Sequence, residues 1–332
     1  MAILTGPTLA WRMRSVLLAL TVAVALAAIP AAHQPAAKTR TMAVTIDDLP
    51  WNHQGEGAGF LDAARRGTDA MLAALRAHRV PTVSVVNEDK LAAPSPDERA
   101  ARVALLKEWV DAGHVLGNHG YSHRDANAVT AEAYLADIAK GDAVTRELMR
   151  TRQPYTLYFR HPYTHTGDTL EKRDAITRGL TARGYTPMPH TIENSDWLFN
   201  VPYVKADAAG RARLLESYLA HTASATAFAE TKAAELFGRD DVPQVLLIHT
   251  LALNADGLAA LLAMFEGRGY RFITLDEALR DKAYATPDAF VGRNGPSWLF
   301  RWSRTLAPAA SFREDPEVPA WVMALYEAAQ RR

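Results

Sequence analysis

The chain has 332 residues, 37 basic and 37 acidic side chains, 48% hydrophobic residues and no cysteine. That length and apolar content exclude wholesale disorder and allow one large domain or two small ones. Zero formal net charge argues against a general nucleic-acid binder, which needs a clustered basic excess, and the absence of cysteine leaves only His, Asp and Glu to hold a metal.

In chain order, Arg12 and Arg14 precede an uncharged apolar run over residues 16–29, closed by Pro30 and small residues. A basic start, a short apolar stretch and a small-residue exit describe a secretory signal peptide over residues 1–32, with cleavage expected after residue 27 or 32. The run is short for a membrane span of roughly 20 residues. No stable membrane span is therefore expected after cleavage, and the mature protein is expected to be exported, periplasmic or extracellular. An uncleaved N-terminal anchor is the alternative. Residues 33–40 read as a linker.

Residues 42–46 then read as a buried strand, and Leu61, Ala64, Met71, Leu72 and Leu75 recur at helical spacing. Pro81 breaks that pattern before a strand at 82–86. Ser95-Pro96-Asp97-Glu98 is a capping box with proline at the first helical position, and Gly113 closes the helix it opens. Residues 114–117 read as a third strand, 130–150 as one helix and 157–159 as a strand. Asp168 and Glu171 form another capping box with Gly184 as the stop, followed by a strand near 190–192 and an Ala-rich helix over 207–237. Residues 245–248 are an apolar strand, Asn254 is expected to cap the next helix, and 271–273 is the last strand before a capping box of Thr274 and Glu277.

Seven strand signals alternating with helices imply an α/β fold of parallel strands joined by crossover helices. Periodicity leaves a (β/α) barrel and an open doubly wound sheet equally open. From residue 286 onward the alternation stops, and Phe290, Trp298, Phe300, Trp302, Phe312 and Trp321 crowd into a C-terminal extension. These aromatics are expected to pack on the barrel, with a sugar-stacking surface as the alternative.

In folds of parallel strands, reactive residues collect beyond the carboxyl ends of strands. There, Asp47 and Asp48 are adjacent carboxylates, and two close like charges need a cation or a shared proton. Successive side chains on an extended strand point to opposite sides, so the two are not expected to do one job. His119 and His123 are spaced i, i+4, so one helical turn would put both imidazoles on one face. Two neutral imidazoles and one carboxylate make a common open zinc arrangement. Arg160 offers a fork of donors for a carboxylate, and Tyr163 follows Pro162, whose fixed φ constrains the chain. Asp196 precedes Trp197, and His249 ends an almost wholly apolar strand.

These segments resemble, in order, the five motifs of the polysaccharide deacetylase (NodB-homology) family, carbohydrate esterase family four. Thr45-Ile46-Asp47-Asp48 is similar to the first, His119 to His123 to the two-histidine motif, and Arg160-His161-Pro162-Tyr163 to the Arg-x-Pro-Tyr loop. Glu193-Asn194-Ser195-Asp196-Trp197 resembles the acid-x-x-Asp-Trp motif, and Leu246-Leu247-Ile248-His249 the closing Leu-x-x-His.

The resemblance implies a distorted (β/α) barrel of about seven parallel strands over residues 41–285 and hydrolysis of acetyl groups from an acetylated glycan. It also implies site roles. Asp48, His119 and His123 would bind a divalent metal of zinc type. Asp47 would be the general base, Arg160 would hold it ionised, Tyr163 would give its backbone N–H to the oxyanion, and His249, oriented by Asp196, would be the general acid.

Two positions depart from the family pattern. Gly120 stands where Ser or Thr usually follows the first histidine, which predicts a looser loop and lower metal affinity. Glu193 replaces the usual Asp. A non-catalytic carbohydrate-binding protein and another metal-dependent hydrolase remain as alternatives. Against a phosphoesterase, the sequence has no second ligand cluster and no Gly-rich phosphate cradle.

Overall fold

The strand that organises the molecule is apolar on both faces, as a central parallel strand must be. In the computed structural model, which describes residues 40–53 and 59–331, this is β1 (Arg40–Leu49), buried from Met42 onward. The expected signal peptide, and the linker apart from Arg40, lie outside the described residues. β1 is followed by α1 (Phe60–Ala77), β2 (Thr82–Val86), α2 (Pro96–Asp111), β3 (Val115–Asn118), α3 (Ala131–Lys140), α4 (Ala143–Met149), β4 (Tyr158–Phe159) and α5 (Leu170–Ala182). Next come β5 (Thr186–Pro187), β6 (Ile192–Glu193), α6 (Asp196–Lys205), α7 (Ala208–Phe237), β7 (Gln244–His249), α8 (Ala252–Gly267), β8 (Tyr270–Phe272) and α9 (Leu275–Leu279). The C-terminal extension adds α10 (Trp298–Leu306) and α11 (Ala320–Gln330).

The strands form one eight-stranded sheet in the order β5-β4-β3-β2-β1-β7-β6, with β8 paired to the first residues of β1, and every pairing is parallel. This is the distorted (β/α) barrel, open between β5 and β6. Parallel pairing puts all the carboxyl ends on one side, and the register sets Asp47 directly against His249 across β1 and β7.

Several local expectations need correction. The expected helix over 130–150 is broken into α3 and α4, because the carbonyl of Asp137 accepts the N–H of Tyr121 and the Gly141 N–H turns back to Ile138 O instead. The cap of α5 is Thr169, whose hydroxyl accepts from Lys172 N–H, while Asp168 pairs with the Lys172 ammonium. Asn254 is no cap: α8 begins two residues earlier, and Asn254 is fully buried inside it. β5 and α6 had no clear periodic signal, one being two residues long and the other carrying Pro202 in its interior.

The tail aromatics are largely core. Trp302 is fully buried, its ring edge-on to Phe237 and Tyr284, and Trp298 packs its ring on His190. Trp298, Leu299, Trp302 and Val322 join the main hydrophobic cluster with β1, α1, α8 and α7 side chains.

Candidate active site

The carboxyl ends of β1, β3, β4, β6 and β7 surround a cavity of about 890 Å³ whose wall carries Asp47, Asp48, His119, His123, Tyr163 and His249. Arg160 and Asp196, both fully buried, stand behind that wall. Side chains of α7, with Gly295, Pro296, Ser297, Leu299 and Asp315, also line the cavity.

Asp47 and Asp48 face the same cavity, against the expectation from strand alternation. The register with β2 shifts between Ile46 and Leu49, and Asp48 has φ 77°, so the backbone is not extended there. Asp48 Oδ2 accepts from Asn52 Nδ2 at 2.7 Å, and Oδ1 pairs with Lys90 Nζ at 3.0 Å. Burial pushes the Asp48 carboxyl upward, but the Lys90 ammonium and the nearby histidines outweigh it and hold the group well below the usual carboxylate range.

The two histidines also meet by a route other than the expected helical turn. His119 follows β3 directly, and the chain bends through Gly120 (φ 75°) and His123 (φ 52°). The rings lie 4.8 Å apart, edge-on. One donor atom each from Asp48, His119 and His123 lies within 4.8 Å of the others. His119 Nδ1 sits 2.8 Å from Arg160 O, a carbonyl that can only accept, so Nδ1 carries the proton and Nε2 keeps its lone pair toward Asp48. Burial lowers His119 to about 4 and lowers His123 as well, which keeps both rings neutral at pH 7. This donor set, with the His119 ring held by its bond to Arg160 O, fits a divalent ion of zinc type.

The loop is not slack at Gly120. Asp137 accepts from Ser122 Oγ at 2.6 Å and Ser122 N–H at 3.2 Å, and a Cβ on Gly120 would come within 3.0 Å of Asp137 Oδ2. The carboxylate of α3 occupies the place from which a side chain on residue 120 would brace the turn.

Asp47 Oδ2 lies 3.7 Å from His119 Nε2 and 3.8 Å from Arg160 Nη1, and its Oδ1 is buried with no hydrogen-bond partner. Arg160 Nη2 donates to Thr45 Oγ1 at 2.8 Å, while its Nε and Nη1 have no partner. Burial lowers the Arg160 guanidinium pKa, and the Asp47 carboxylate opposes that shift. Tyr163 has φ 55°; the bonds of its turn run from Thr164 N–H to His161 O and from His165 N–H to Pro162 O, and neither uses the Tyr163 N–H.

Across the cavity, Asp196 Oδ1 is 2.7 Å from His249 Nδ1, and its Oδ2 accepts from His249 N–H at 2.7 Å and Asn254 Nδ2 at 2.6 Å. Asn254 Nδ2 also reaches His249 O at 2.8 Å, and Tyr218 donates to Asn254 Oδ1. Burial alone would lower His249, but the charge and hydrogen bond of Asp196 raise it to about 10. Glu193 serves the turn before α6: its Oε1 accepts from Ser195 N–H at 2.8 Å, and burial with Asp196 nearby pushes its pKa up to about 7. Lys90, Asn254 and Asp137 were not legible as site residues, since each acts through a contact between segments distant in sequence.

The family model for polysaccharide deacetylase matches residues 34–181. That stretch, a little under half of the chain, is thus similar to the polysaccharide deacetylase family. It holds Asp47, Asp48, His119, His123, Arg160 and Tyr163, while Asp196 and His249 lie beyond it. An uncharacterized 30.6 kDa protein of Geobacillus stearothermophilus is 24% identical over 184 residues, covering 55% of this chain and 57% of the relative. The chain thus matches little over half the length of that curated relative.

Among solved structures, a polysaccharide deacetylase of Bacillus cereus superposes with TM-score 0.48 at 17% identity, covering 71% of this chain and 91% of the other. A carbohydrate esterase family four pseudoenzyme of Bacillus anthracis gives 0.46 at 14%, covering 73% and 66%. Among the described residues, no helix is long and apolar enough to cross a membrane.

Proposed function

We propose that the protein is an exported, metal-dependent hydrolase that removes acetyl groups from an acetylated glycan. The observation that carries this reading is the gathering of Asp48, His119 and His123 donors within 4.8 Å on the wall that also bears Asp47 and His249. Asp48, His119 and His123 would hold a divalent ion, which would supply Lewis acidity toward a water and the acyl oxygen.

Asp47 takes the proton from the attacking water, and its free Oδ1 is the acceptor for it. Arg160, buried behind Asp47, fixes the carboxylate in orientation. Attack forms the new C–O bond at the acyl carbon, and the Tyr163 N–H faces the negative oxygen that develops. His249 is protonated at neutral pH and donates to the leaving nitrogen or oxygen as the C–N or C–O bond breaks; Asp196 holds its ring. The products are acetate and the free amine or hydroxyl. Removal of the first 27 or 32 residues on export, and a barrel over residues 41–285 with an extension over 286–332, belong to the same proposal.

One observation favours the non-catalytic carbohydrate-binding alternative: the Lys90 ammonium sits 3.0 Å from Asp48 Oδ1, where it offsets the charge a metal would. Acetate release from chitin oligomers, peptidoglycan and acetylated xylan, with and without chelator, separates the readings. Release that stops with chelator and returns with zinc is expected. Glycan binding without release on any substrate, at full zinc loading, would select the alternative.

A further inference from the structure

The C-terminal extension grips the loop after β4 chiefly through the side chain of Arg301. Arg301 of α10 is fully buried although it carries a permanent charge. Its Nη2 donates to Thr164 O at 2.7 Å, its Nη1 to Thr166 Oγ1 and Asp288 Oδ2 at 3.1 Å each, and its Nε to Pro296 O at 3.0 Å. The guanidinium lies over the Trp298 ring at 4.4 Å and the Phe290 ring at 5.0 Å.

A second contact meets the same loop beside it. Thr164 Oγ1 donates to Gly295 O at 2.6 Å, and a Cβ on Gly295 would fall 2.2 Å from Tyr163 O, so only glycine lets the extension approach this closely. The loop needs such a hold. Tyr163 and Thr164 are consecutive non-glycine residues at φ 55° and 53°, a conformation that L-residues leave unless surrounding contacts impose it.

We infer that Arg301 is a positioning residue for the hydrolysis: by fixing Thr164 O and Thr166 it holds the Tyr163 N–H toward the developing oxyanion. This rests on the hydrolase reading above. It makes the extension part of the reaction centre, although Arg301 touches neither substrate nor metal ligand. Because the oxyanion exists only in the transition state, loosening the loop lowers kcat and leaves KM in place.

The test uses the full chain with Arg301→Lys, which keeps the charge but not the fork, and Thr164→Val, which removes the bond to Gly295 from the other side. Hydrogen exchange over residues 162–167 is read together with kcat, KM and zinc stoichiometry. Faster exchange confined to that segment is expected in both variants. With it, kcat should fall about 10-fold, well short of the 10²–10³ for losing an oxyanion donor outright; KM and zinc content should stay unchanged.

Unchanged exchange in folded Arg301→Lys would overturn the clamp. Faster exchange with unchanged kcat would overturn the positioning role. Should Arg301→Lys not fold, Thr164→Val decides by the same readings. Absence of acetate release from the wild type would sink the hydrolase reading, and with it the positioning role; exchange would still decide the clamp.

Discussion

The two sides of the cavity are built on opposite principles. On the β7 side, Asp196, His249, Asn254 and Tyr218 form a closed network in which both Asp196 oxygens and both polar ends of Asn254 are bonded, although Asn194 Oδ1 beside it has no hydrogen-bond partner and Ser195 holds positive φ. On the β1 side, Asp47 Oδ1 and Arg160 Nε and Nη1 are buried without hydrogen-bond partners, and Asp48, His123 and Tyr163 all hold positive φ. Buried unpaired polar atoms and left-handed non-glycine residues each cost about 1–3 kcal/mol. A fold keeps such groups where something else completes them. The satisfied side is fit to hold one proton on one ring; the unsatisfied side is fit to receive an ion, a water and a substrate oxygen.

The largest effect that would break this contrast is expected on the open side. His119→Ala should lose the bound metal and about 10³-fold or more in hydrolysis, with elemental analysis and acetate release as readouts. Full metal occupancy in that variant would remove the basis for calling this side incomplete.

On the closed side, Asp196→Asn should bring the His249 pKa down from about 10 toward its ordinary 6.5. The proposed reaction needs His249 protonated, so the alkaline limb of the pH–rate profile should move to lower pH by the same amount, and the rate near pH 8 should fall. The same linkage acts on stability. Because the folded pKa is raised, the contribution is full below pH 6.5 and is lost as pH rises toward 10; thermal melts between those values should show a decline that Asp196→Asn lacks.

Asn254→Ala should leave Asp196 and the His249 carbonyl each short of a donor, a cost of about 1–3 kcal/mol in denaturant unfolding, with metal content unchanged. The smallest effect has the opposite sign. Lys90→Gln removes a cation that competes with the metal ion for Asp48 and should tighten zinc binding about 10-fold by calorimetry, the size expected of one partly screened charge. No change would mean that Lys90 swings clear at no cost when the ion binds.

The contrast also explains what could be read in advance. Strands β1 and β7 are largely apolar, and the groups that close them (Asp47, Asp48, His249) stand at their ends, so their place in the site follows from their place in the sequence. The geometry between adjacent residues was not legible. Strand alternation put Asp47 and Asp48 on opposite sides, and helical spacing put His119 over His123. In the fold, left-handed backbone at Asp48, Gly120 and His123 brings these groups together, braced by Asn52 nearby in the chain and by Lys90 and Asp137 from other segments. Asn254 looked like a cap because its neighbours look like a helix start; its partners Asp196 and Tyr218 are 58 and 36 residues away. Long-range polar closure leaves no periodic trace.

The central claim is that two neighbouring carboxylates divide the labour, Asp48 holding the ion and Asp47 handling the proton. Metal stoichiometry and hydrolysis rate measured side by side on Asp47→Asn and Asp48→Asn test it most directly. Asp47→Asn should keep its zinc and lose about 10²–10⁴-fold in rate, the usual worth of a general base. Asp48→Asn should lose zinc and activity together. Zinc lost from Asp47→Asn but retained by Asp48→Asn would contradict the account.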